Sequence, residues 1–316
     1  MAAATILVLG FPRSGTTWLA KIFDSHPDVL YRHEPDELTV SDPSLAPVEQ
    51  IAIWLSQRGL RAAAKRPNFP KSWRLAPSAA VRTALAAALA MAQRLPLTTR
   101  LAAQAELPDL IAARRRRQVR AVIKLVAWDG TLAARTMPGT RCVFILRHPC
   151  GQIASVMAGL SARHLDIAVG AAADLNAAAA HAARQGVDKA VFDALPDAAK
   201  FAWSWLAFNE PAVESLSKLP NARIVLYEDL CRNPAAVSRD LFAFAELDWH
   251  PQTEAFLGVS TSQQRGGGYF DVFRTSEDTA ERWRQSMSLQ DQQSVRAVVC
   301  TSSLARCWPD LMGPPA

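Results

Sequence analysis

Residues 10–18 read GFPRSGTTW and follow directly on the apolar run Thr5–Leu9. Two glycines five positions apart frame a phosphate-binding loop, but Thr16 stands where such loops carry lysine. An arginine, Arg13, lies inside the loop instead. A glycine-rich turn between a strand and a helix presents backbone N–H groups at the positive end of the helix dipole. This stretch therefore predicts an anion site whose cationic contact is arginine.

The bulk composition is that of a globular protein with a basic balance. The chain has 316 residues, a net charge of +6 and a pI near 9.3, which favours an anionic ligand. Four of the positive charges are adjacent, at Arg114–Arg117. They mark either a solvated helix end or a contact with an anionic acceptor or membrane surface. We expect no nucleic-acid partner.

Cysteine usage and hydropathy bear on the compartment. The five cysteines have no CxxC spacing, so neither a zinc site nor a disulfide framework is predicted, although one bridge between Cys300 and Cys307 stays open. No basic region precedes the first apolar run, and no apolar segment reaches about 18 residues. We expect a soluble, cytoplasmic protein without a transmembrane segment.

Five short runs predict buried strands of a parallel sheet, because most are continuously apolar rather than alternating. They are Thr5–Leu9, Val29–Tyr31, Ala121–Val126, Cys142–Leu146 and Arg223–Tyr227. Alanine-rich helical insertions are expected over about 40–115 and 160–200. With no repeat or linker, the prediction is one α/β domain over residues 1–316, with a P-loop-like three-layer fold of about five parallel strands flanked by helices.

A longer run carries a family resemblance. Residues 12–35, PRSGTTWLAKIFDSHPDVLYRHEP, resemble the 5′-phosphosulfate loop and following helix of sulfotransferases, chiefly the carbohydrate and protein-tyrosine branches. Those enzymes use 3′-phosphoadenosine 5′-phosphosulfate (PAPS) and release 3′-phosphoadenosine 5′-phosphate (PAP). The resemblance implies a soluble, bacterial-type member that binds the donor phosphate through Arg13 and the loop residues Ser14, Gly15, Thr16 and Thr17. Trp18 is expected to pack the loop helix or to lie near the adenine.

Two further stretches agree with this resemblance. In CVFILRHPCGQIASVM, residues 142–157, an arginine at a strand end is followed eight residues later by a helical serine. The resemblance assigns these two, Arg147 and Ser155, to the 3′-phosphate. In RIVLYEDLCRNPAA, Tyr227 is either a core residue or lies near the adenosine, while Glu228 and Asp229 are expected to be structural, for example as a helix cap.

The carboxyl-terminal run QQRGGGYFDVFRTSEDTAERWRQSMSL, residues 263–289, resembles more loosely the loop that closes over the donor. Arg265, Gly266 and Gly267 are assigned to a phosphate there, with backbone N–H groups forming an anion-binding nest.

Catalytic residues are expected at two strand ends. Lys124 lies among apolar neighbours and is either a snorkelling strand-end lysine or the cation that neutralises the bridging oxygen of the donor. By the protein-tyrosine branch, Glu34 is the base that takes the acceptor's proton, and burial is expected to raise its pKa towards the working range. His33 is the competing base. No metal is expected to be required, because the sulfuryl group carries less negative charge than a γ-phosphoryl group.

The predicted function is sulfuryl transfer from PAPS to the hydroxyl of a small molecule, carbohydrate, glycolipid or natural product, with peripheral membrane contact left open. The main alternative is a P-loop kinase of a nucleoside or small alcohol. That reading needs a lysine at position 16 and an acidic magnesium ligand after Cys142–Leu146, where Arg147 stands. A second alternative is a nucleotide-binding module without catalysis.

Overall fold

The computed structural model describes residues 5–75, 79–93, 105–126, 128, 130–161, 174–262 and 280–312. Its strands form one five-stranded sheet in the order β2-β3-β1-β4-β5. The strands are β1 (Ile6–Leu9), β2 (Val29–His33), β3 (Arg120–Lys124), β4 (Arg141–Leu146) and β5 (Ala222–Leu226). Strand β3 pairs in parallel with both β1 and β2. The predicted α/β fold with a central parallel sheet is confirmed.

Helices occupy most of the remaining described chain. They are α1 (Thr16–Ser25), α2 (Pro47–Ser56), α3 (Leu60–Ala63), α4 (Ala79–Ala92), α5 (Thr131–Thr136), α6 (Pro149–Ser161), α7 (Leu175–Arg184), α8 (Lys189–Ala194), α9 (Asp197–Leu216), α10 (Tyr227–Arg232), α11 (Pro234–Phe244), α12 (Pro251–Ser262), α13 (Trp283–Ser286) and α14 (Leu289–Val299). Single 3-10 turns cover Pro35–Glu37, Ala113–Arg115, Ser303–Cys307 and Pro309–Leu311.

Strand β3 ends two residues earlier than the apolar run predicts. The backbone N–H of Leu125 still donates to the carbonyl of Val8, at 3.0 Å. The next N–H, that of Val126, donates instead to the Asp36 carboxylate, at 2.9 Å. A side chain therefore replaces the neighbouring strand as hydrogen-bond partner, which leaves Lys124 as the last residue of the strand.

Contacts divide the chain into two compact units. The first takes its described residues from Met1–Leu9, Thr17–Val143 and Ser238–Val259, and the second from Gly10–Thr16, Phe144–Val237 and Ser260–Ala316. In the first unit, β1 is fully buried, and Phe23 stacks on Phe242 with ring centroids 5.2 Å apart. The prediction of one domain stays a prediction.

The second unit is organised around its longest helix, α9. Helices α7 and α14 pack against it, and Trp205 and Leu206 are almost completely buried there. The ring of Phe208 lies 5.2 Å from that of Phe11, between centroids. Phe11 belongs to the glycine-rich loop, so an aromatic contact with α9 holds the start of that loop.

The cysteines, the helix hydropathy and the arginine run each bear on an earlier prediction. All five cysteines are free thiols, so the bridge left open between Cys300 and Cys307 is not formed. None of the helices in the described ranges combines the length and the hydropathy that a membrane span needs. The run Arg114–Arg117 follows the start of a 3-10 turn, where all its members except Arg115 are exposed.

Candidate active site

The glycine-rich loop joins β1 to α1 as the sequence predicts. Inside it, the Ser14 N–H donates to the Phe11 carbonyl at 3.1 Å and closes a turn. Arg13 has a φ of 71°, in the left-handed region that residues other than glycine rarely occupy. A backbone held in such a conformation is commonly associated with a functional position.

Position 15 needs a glycine because a neighbouring side chain occupies the space of a Cβ atom. Its φ is +98°, and a Cβ there would lie 2.6 Å from the Cε2 atom of Tyr227. Tyr227 is the first residue of α10 and is 7% exposed. The Arg147 guanidinium lies over the same tyrosine ring, with its Cζ 4.5 Å from the ring centroid. The tyrosine ring therefore joins the loop to the arginine after β4.

We expect Gly15→Ala to lower the free energy of unfolding by about 1–3 kcal/mol, because the new methyl meets both a positive φ and the Tyr227 ring. It is also expected to weaken PAP binding, since the loop must move. Urea denaturation and calorimetric titration measure the two effects. Gly139→Ala is the matched control, because its Cβ would meet nothing within 4 Å. Equal behaviour of the two variants would show that the Tyr227 contact does not constrain the loop.

Three of the residues assigned to donor phosphates, Arg13, Arg147 and Ser155, come together at the glycine-rich loop. The Arg13 Nε donates to the Ser155 Oγ on α6 at 3.1 Å. From the other side, the Arg147 Nη1 donates to the Arg13 carbonyl oxygen at 3.0 Å. Two guanidinium groups and a hydroxyl are thus gathered at one loop. The eight-residue spacing between Arg147 and Ser155 places both at Arg13.

Sequence reasoning missed Gln152, which is completely buried on α6. Its Nε2 donates to the carbonyls of Phe11, at 3.1 Å, and Pro12, at 2.6 Å. Its Oε1 accepts from the Trp205 indole at 2.9 Å. The amide therefore fixes the first half of the loop. The available signal was a single amide in the apolar helical stretch that follows Arg147.

Two buried polar atoms of this cluster, the Ser14 Oγ and the Arg147 Nε, have no hydrogen-bond partner in the described part of the chain. Buried polar groups are nearly always paired, so unpaired donors at a glycine-rich loop suit an oxyanion. The residues present therefore fit the phosphate groups of the expected donor. They would supply neutral and charged hydrogen-bond donors to it.

The other residues predicted to bind the donor lie in α1 or outside the described residues. Thr16 and Thr17 open α1, where Thr16 is 3% exposed. Trp18 is buried at 9% exposure in the same turn, as expected for a residue that packs the helix. Arg265, Gly266 and Gly267 lie outside the described residues.

Glu228 is structural, but it does not cap a helix. The N-cap position of α10 is Leu226, with no side-chain cap. The Glu228 carboxylate instead accepts from the His148 N–H at 2.9 Å and from the Trp308 indole at 3.1 Å. His148, whose role the family resemblance leaves open, stacks on Trp283 with ring centroids 4.4 Å apart. These contacts fix the backbone that follows Arg147.

The first unit holds the second cluster, at the ends of β2 and β3. Parallel pairing sets His33 opposite Lys124, so Glu34 follows directly beyond the strand end. The Lys124 ammonium donates to the Glu34 carboxylate in a close ion pair. Glu34 has a φ of 48°, a second left-handed residue at a candidate site. Lys124 is 2% exposed and therefore is not a snorkelling surface lysine.

The ion pair reverses the expected pKa shift of Glu34. Burial alone would raise the pKa of this carboxyl, as sequence reasoning expected. The positive charge and hydrogen bond of Lys124, aided by His33 and Lys65, outweigh burial and lower the pKa to about 2. Glu34 is consequently a carboxylate at neutral pH and an available proton acceptor, although a weak base while it is paired.

His33 is held between two partners. Its Nε2 lies 3.4 Å from the Glu34 carboxylate, and its Nδ1 lies 2.8 Å from the Tyr31 hydroxyl. Burial lowers the pKa of His33 well below its usual value, so the ring is neutral at pH 7. A carboxylate can only accept a hydrogen bond, so the consistent tautomer of His33 carries its proton on Nε2, which faces Glu34. The Nδ1 atom then accepts from the Tyr31 hydroxyl. Tyr31 was not predicted, although its two-residue spacing from His33 sets both on one face of β2.

Comparison with known proteins identifies the family. The sulfotransferase family model matches residues 5–251, so the chain belongs to the sulfotransferase family. Carbohydrate sulfotransferase 3 of Homo sapiens is 32% identical over 75 residues, which make up 23% of this chain and 16% of that protein. The mouse protein of the same name is 32% identical over 77 residues, with the same shares of each chain. The chain thus covers 16% of the length of these relatives.

Solved structures show likeness at low identity. Mouse sulfotransferase SULT7A1, complexed with PAP, has a TM-score of 0.46 and 12% identity, with 96% of this chain and 88% of that chain covered. The sulfotransferase domain from the curacin biosynthetic pathway has a TM-score of 0.43 and 16% identity, with 93% and 96% covered. At these values, neither likeness bears on the acceptor or on the roles of individual residues.

Proposed function

We propose that this chain is a PAPS-dependent O-sulfotransferase that acts on an acceptor hydroxyl without a metal. The observation that carries the proposal is that Arg13, Ser155 and Arg147 meet at the glycine-rich loop. Among the described residues, the buried Ser14 Oγ of this loop and the Nε of Arg147 have no hydrogen-bond partner. Those unpaired donors are what phosphate oxygens would accept from. Membership of the sulfotransferase family names the donor class that suits them.

In this proposal each part of the chain has a defined task. Arg13 and the N–H groups of residues 14–17 bind the 5′-phosphate, while Arg147 and Ser155 bind the 3′-phosphate and Tyr227 packs beside them. Arg265, Gly266 and Gly267, which lie outside the described residues, are proposed to add a further phosphate contact. When bound, the donor supplies the sulfuryl group, which passes to the acceptor hydroxyl by in-line displacement.

Glu34 is proposed as the base, and Lys124 as the cation that offsets negative charge on the leaving oxygen. The neutral state of buried His33 supports its role as a hydrogen-bond partner of Glu34 rather than as the base. If Lys124 turned from Glu34 towards a phosphate oxygen, burial would dominate and the pKa of Glu34 would rise. Release of the pair would therefore make Glu34 a stronger base.

The acceptor and the compartment are proposed more broadly. A carbohydrate acceptor is supported by the local identity to proteins named carbohydrate sulfotransferase 3. A glycolipid or natural product fits the same chemistry, because donor binding does not depend on the rest of the acceptor. We propose a cytoplasmic enzyme, with peripheral membrane contact open to the exposed arginines among Arg114–Arg117.

Titration calorimetry tests the donor directly. We expect PAP to bind without a metal and more tightly than ATP with magnesium. Arg147→Ala is expected to weaken PAP about tenfold to a hundredfold, since it removes charge-assisted hydrogen bonds worth about 1.5–3 kcal/mol. Arg232→Ala is the control, because Arg232 is a surface residue of the same unit, with its side chain 63% exposed.

Preference for ATP with magnesium would contradict the proposal and favour a kinase. Donor binding without transfer of ³⁵S-sulfate from labelled PAPS to any member of a hydroxyl panel would favour a binding module without catalysis. Both alternatives are thereby separated from the proposed enzyme in one set of measurements.

A further inference from the structure

A cationic cavity, named here the Arg74 cavity, lies in the first unit and is lined by none of the residues assigned to the donor. Its volume is about 20 Å³, which is room for one or two water-sized groups. The cavity is lined by four cationic side chains, Arg32, Lys65, Arg74 and Arg82, and by two acidic ones, Asp24 and Asp109. The lining therefore carries more positive than negative charge.

Both acidic residues are already engaged. Asp24 pairs with two buried lysines, Lys21 and Lys71, the second at 2.9 Å. Asp109 pairs with Arg32 through both carboxylate oxygens. These pairs neutralise the acids and Arg32, and Arg74 and Arg82 add further positive charge to the cavity.

Arg74 contributes the surplus most clearly. Its Nε and Nη1 atoms are buried and have no hydrogen-bond partner within the described ranges, although a buried unpaired donor costs about 1–3 kcal/mol. The guanidinium is held in place, since its Cζ lies 4.8 Å from the centroid of the Trp73 ring. Hydrogen bonds on either side, from Leu75 N to Leu110 O and from Ala112 N to Trp73 O, fix the backbone.

Arg82 reinforces this charge. It is 8% exposed, and its guanidinium donates only to backbone carbonyls among the described residues, those of Pro108 at 3.2 Å and Ala63 at 2.9 Å. Burial and the neighbouring charge of Arg82 lower the pKa of Arg74 to about 10. A bound anion would relieve both the missing hydrogen bonds and this repulsion.

The cavity adjoins the cluster that contains the proposed base. Tyr31 lines the cavity, and its hydroxyl is the partner of His33, which in turn contacts Glu34. Lys65 also lines it, and its charge is among the causes that lower the pKa of His33 and of Glu34. The cavity is therefore linked to Glu34 through the side chains of Tyr31 and His33.

We propose that the Arg74 cavity binds a carboxylate or sulfate group of the acceptor, so that the acceptor is an anionic hydroxy compound. This inference rests on the proposed sulfotransferase function. The anionic group alone occupies the cavity in this proposal, and the remainder of the acceptor lies outside it. Arg74 is then a specificity residue and takes no part in the chemical step.

The binding test uses the full chain saturated with PAP, so that the donor site is occupied. Sodium sulfate is titrated against sodium chloride at constant ionic strength, and the Arg74 Nε–Hε signal is followed by ¹⁵N NMR. Arg74→Met identifies that signal by its loss. We expect sulfate, and not chloride, to shift it in a saturable way. No shift in PAP-bound protein would overturn the inference and leave the sulfotransferase proposal standing, with water filling the cavity.

The activity test compares methyl β-D-glucuronide with methyl β-D-glucoside as ³⁵S-sulfate acceptors. We expect the acid to have the lower KM, and Arg74→Met to raise that KM about tenfold to a hundredfold, with kcat little changed and the neutral acceptor unaffected. Arg61→Met is the control, because Arg61 is 45% exposed and pairs with Glu37. Equal effects on both acceptors would overturn the assignment of the cavity to the acceptor.

Stability provides an independent readout. Because Arg74→Met removes two unpaired buried donors, the variant is expected to melt no lower than the wild type when no anion is added. Arg74→Lys keeps the charge but loses the planar fork, and it is expected to recover part of the preference for the acid. If sulfate shifted the Arg74 Nε–Hε signal but the protein failed to bind PAP, the cavity would still be an anion site. Its use by the acceptor of a sulfuryl group would then be contradicted.

Discussion

Replacing Glu34 by glutamine is expected to lower kcat about 100-fold to 10,000-fold while PAP affinity stays unchanged. The amide keeps the shape of the side chain and an oxygen that can accept from Lys124, but it cannot take a proton. General-base catalysis contributes an effect of this size. Steady-state kinetics with labelled PAPS measures kcat, and calorimetry measures PAP binding.

Glu37→Gln is the control for this variant, because Glu37 lies three residues on and pairs with Arg61. His33→Asn separates the two candidate bases. A larger loss of kcat in His33→Asn than in Glu34→Gln would assign the base to His33. The pH profile adds a second criterion, because a pKa of about 2 for Glu34 predicts that kcat/KM shows no loss from this group between pH 7 and 5.

Replacing Lys124 by methionine is expected to lower kcat about 100-fold to 1,000-fold and also to destabilise the fold. The first effect is that of removing one preorganised charge from the leaving group. The second arises because the variant leaves a buried carboxylate unpaired, which costs about 3–5 kcal/mol for a fully buried pair. Glu34 retains 19% exposure of its side chain, so the lower end of that range applies.

The pH dependence of the free energy of unfolding distinguishes the wild type from Lys124→Met. In the wild type, the pKa of Glu34 is lowered from 4.5 to about 2, so the pair stabilises the fold above pH 4.5, and this stability is lost as the pH falls towards 2. In Lys124→Met, burial raises the pKa instead, so that variant should gain stability as the pH falls through the raised pKa.

The double variant Glu34→Gln, Lys124→Met completes the cycle. It removes both charges, so it should be more stable at pH 7 than Lys124→Met alone. If the single lysine variant were as stable as the wild type at pH 7, the pair would not hold a charged Glu34. The proposed coupling between Lys124 and the pKa of Glu34 would then be wrong.

The sequence predicted the fold well because local signals and the fold agree. Continuous apolar runs located all five strands, and the glycine-rich loop fell between β1 and α1. Strand ends were less predictable. The end of β3 depends on the Asp36 carboxylate, which replaces a backbone partner at Val126. Nothing in the apolar run itself contains that contact.

The candidate residues were predicted more completely than their interactions. Arg13, Arg147 and Ser155 were identified by spacing and resemblance, whereas Gln152 was not, because its partners are backbone carbonyls distant in sequence. The pKa of Glu34 was expected to rise with burial, and the sign was wrong because the pairing with Lys124 outweighs burial. The Arg74 cavity was missed because it joins residues from several separate segments.

The contact between Gly15 and Tyr227 has a consequence for how relatives of this chain can diverge. The two positions share one volume, since the aromatic ring occupies the space in which a Cβ at position 15 would lie. A larger residue at 15 needs both a smaller residue at 227 and a loop that gives up the positive φ of position 15. Loss of the ring also removes the surface on which Arg147 rests. Mutational paths should therefore change position 227 first, and an alignment of relatives should show the two positions varying together.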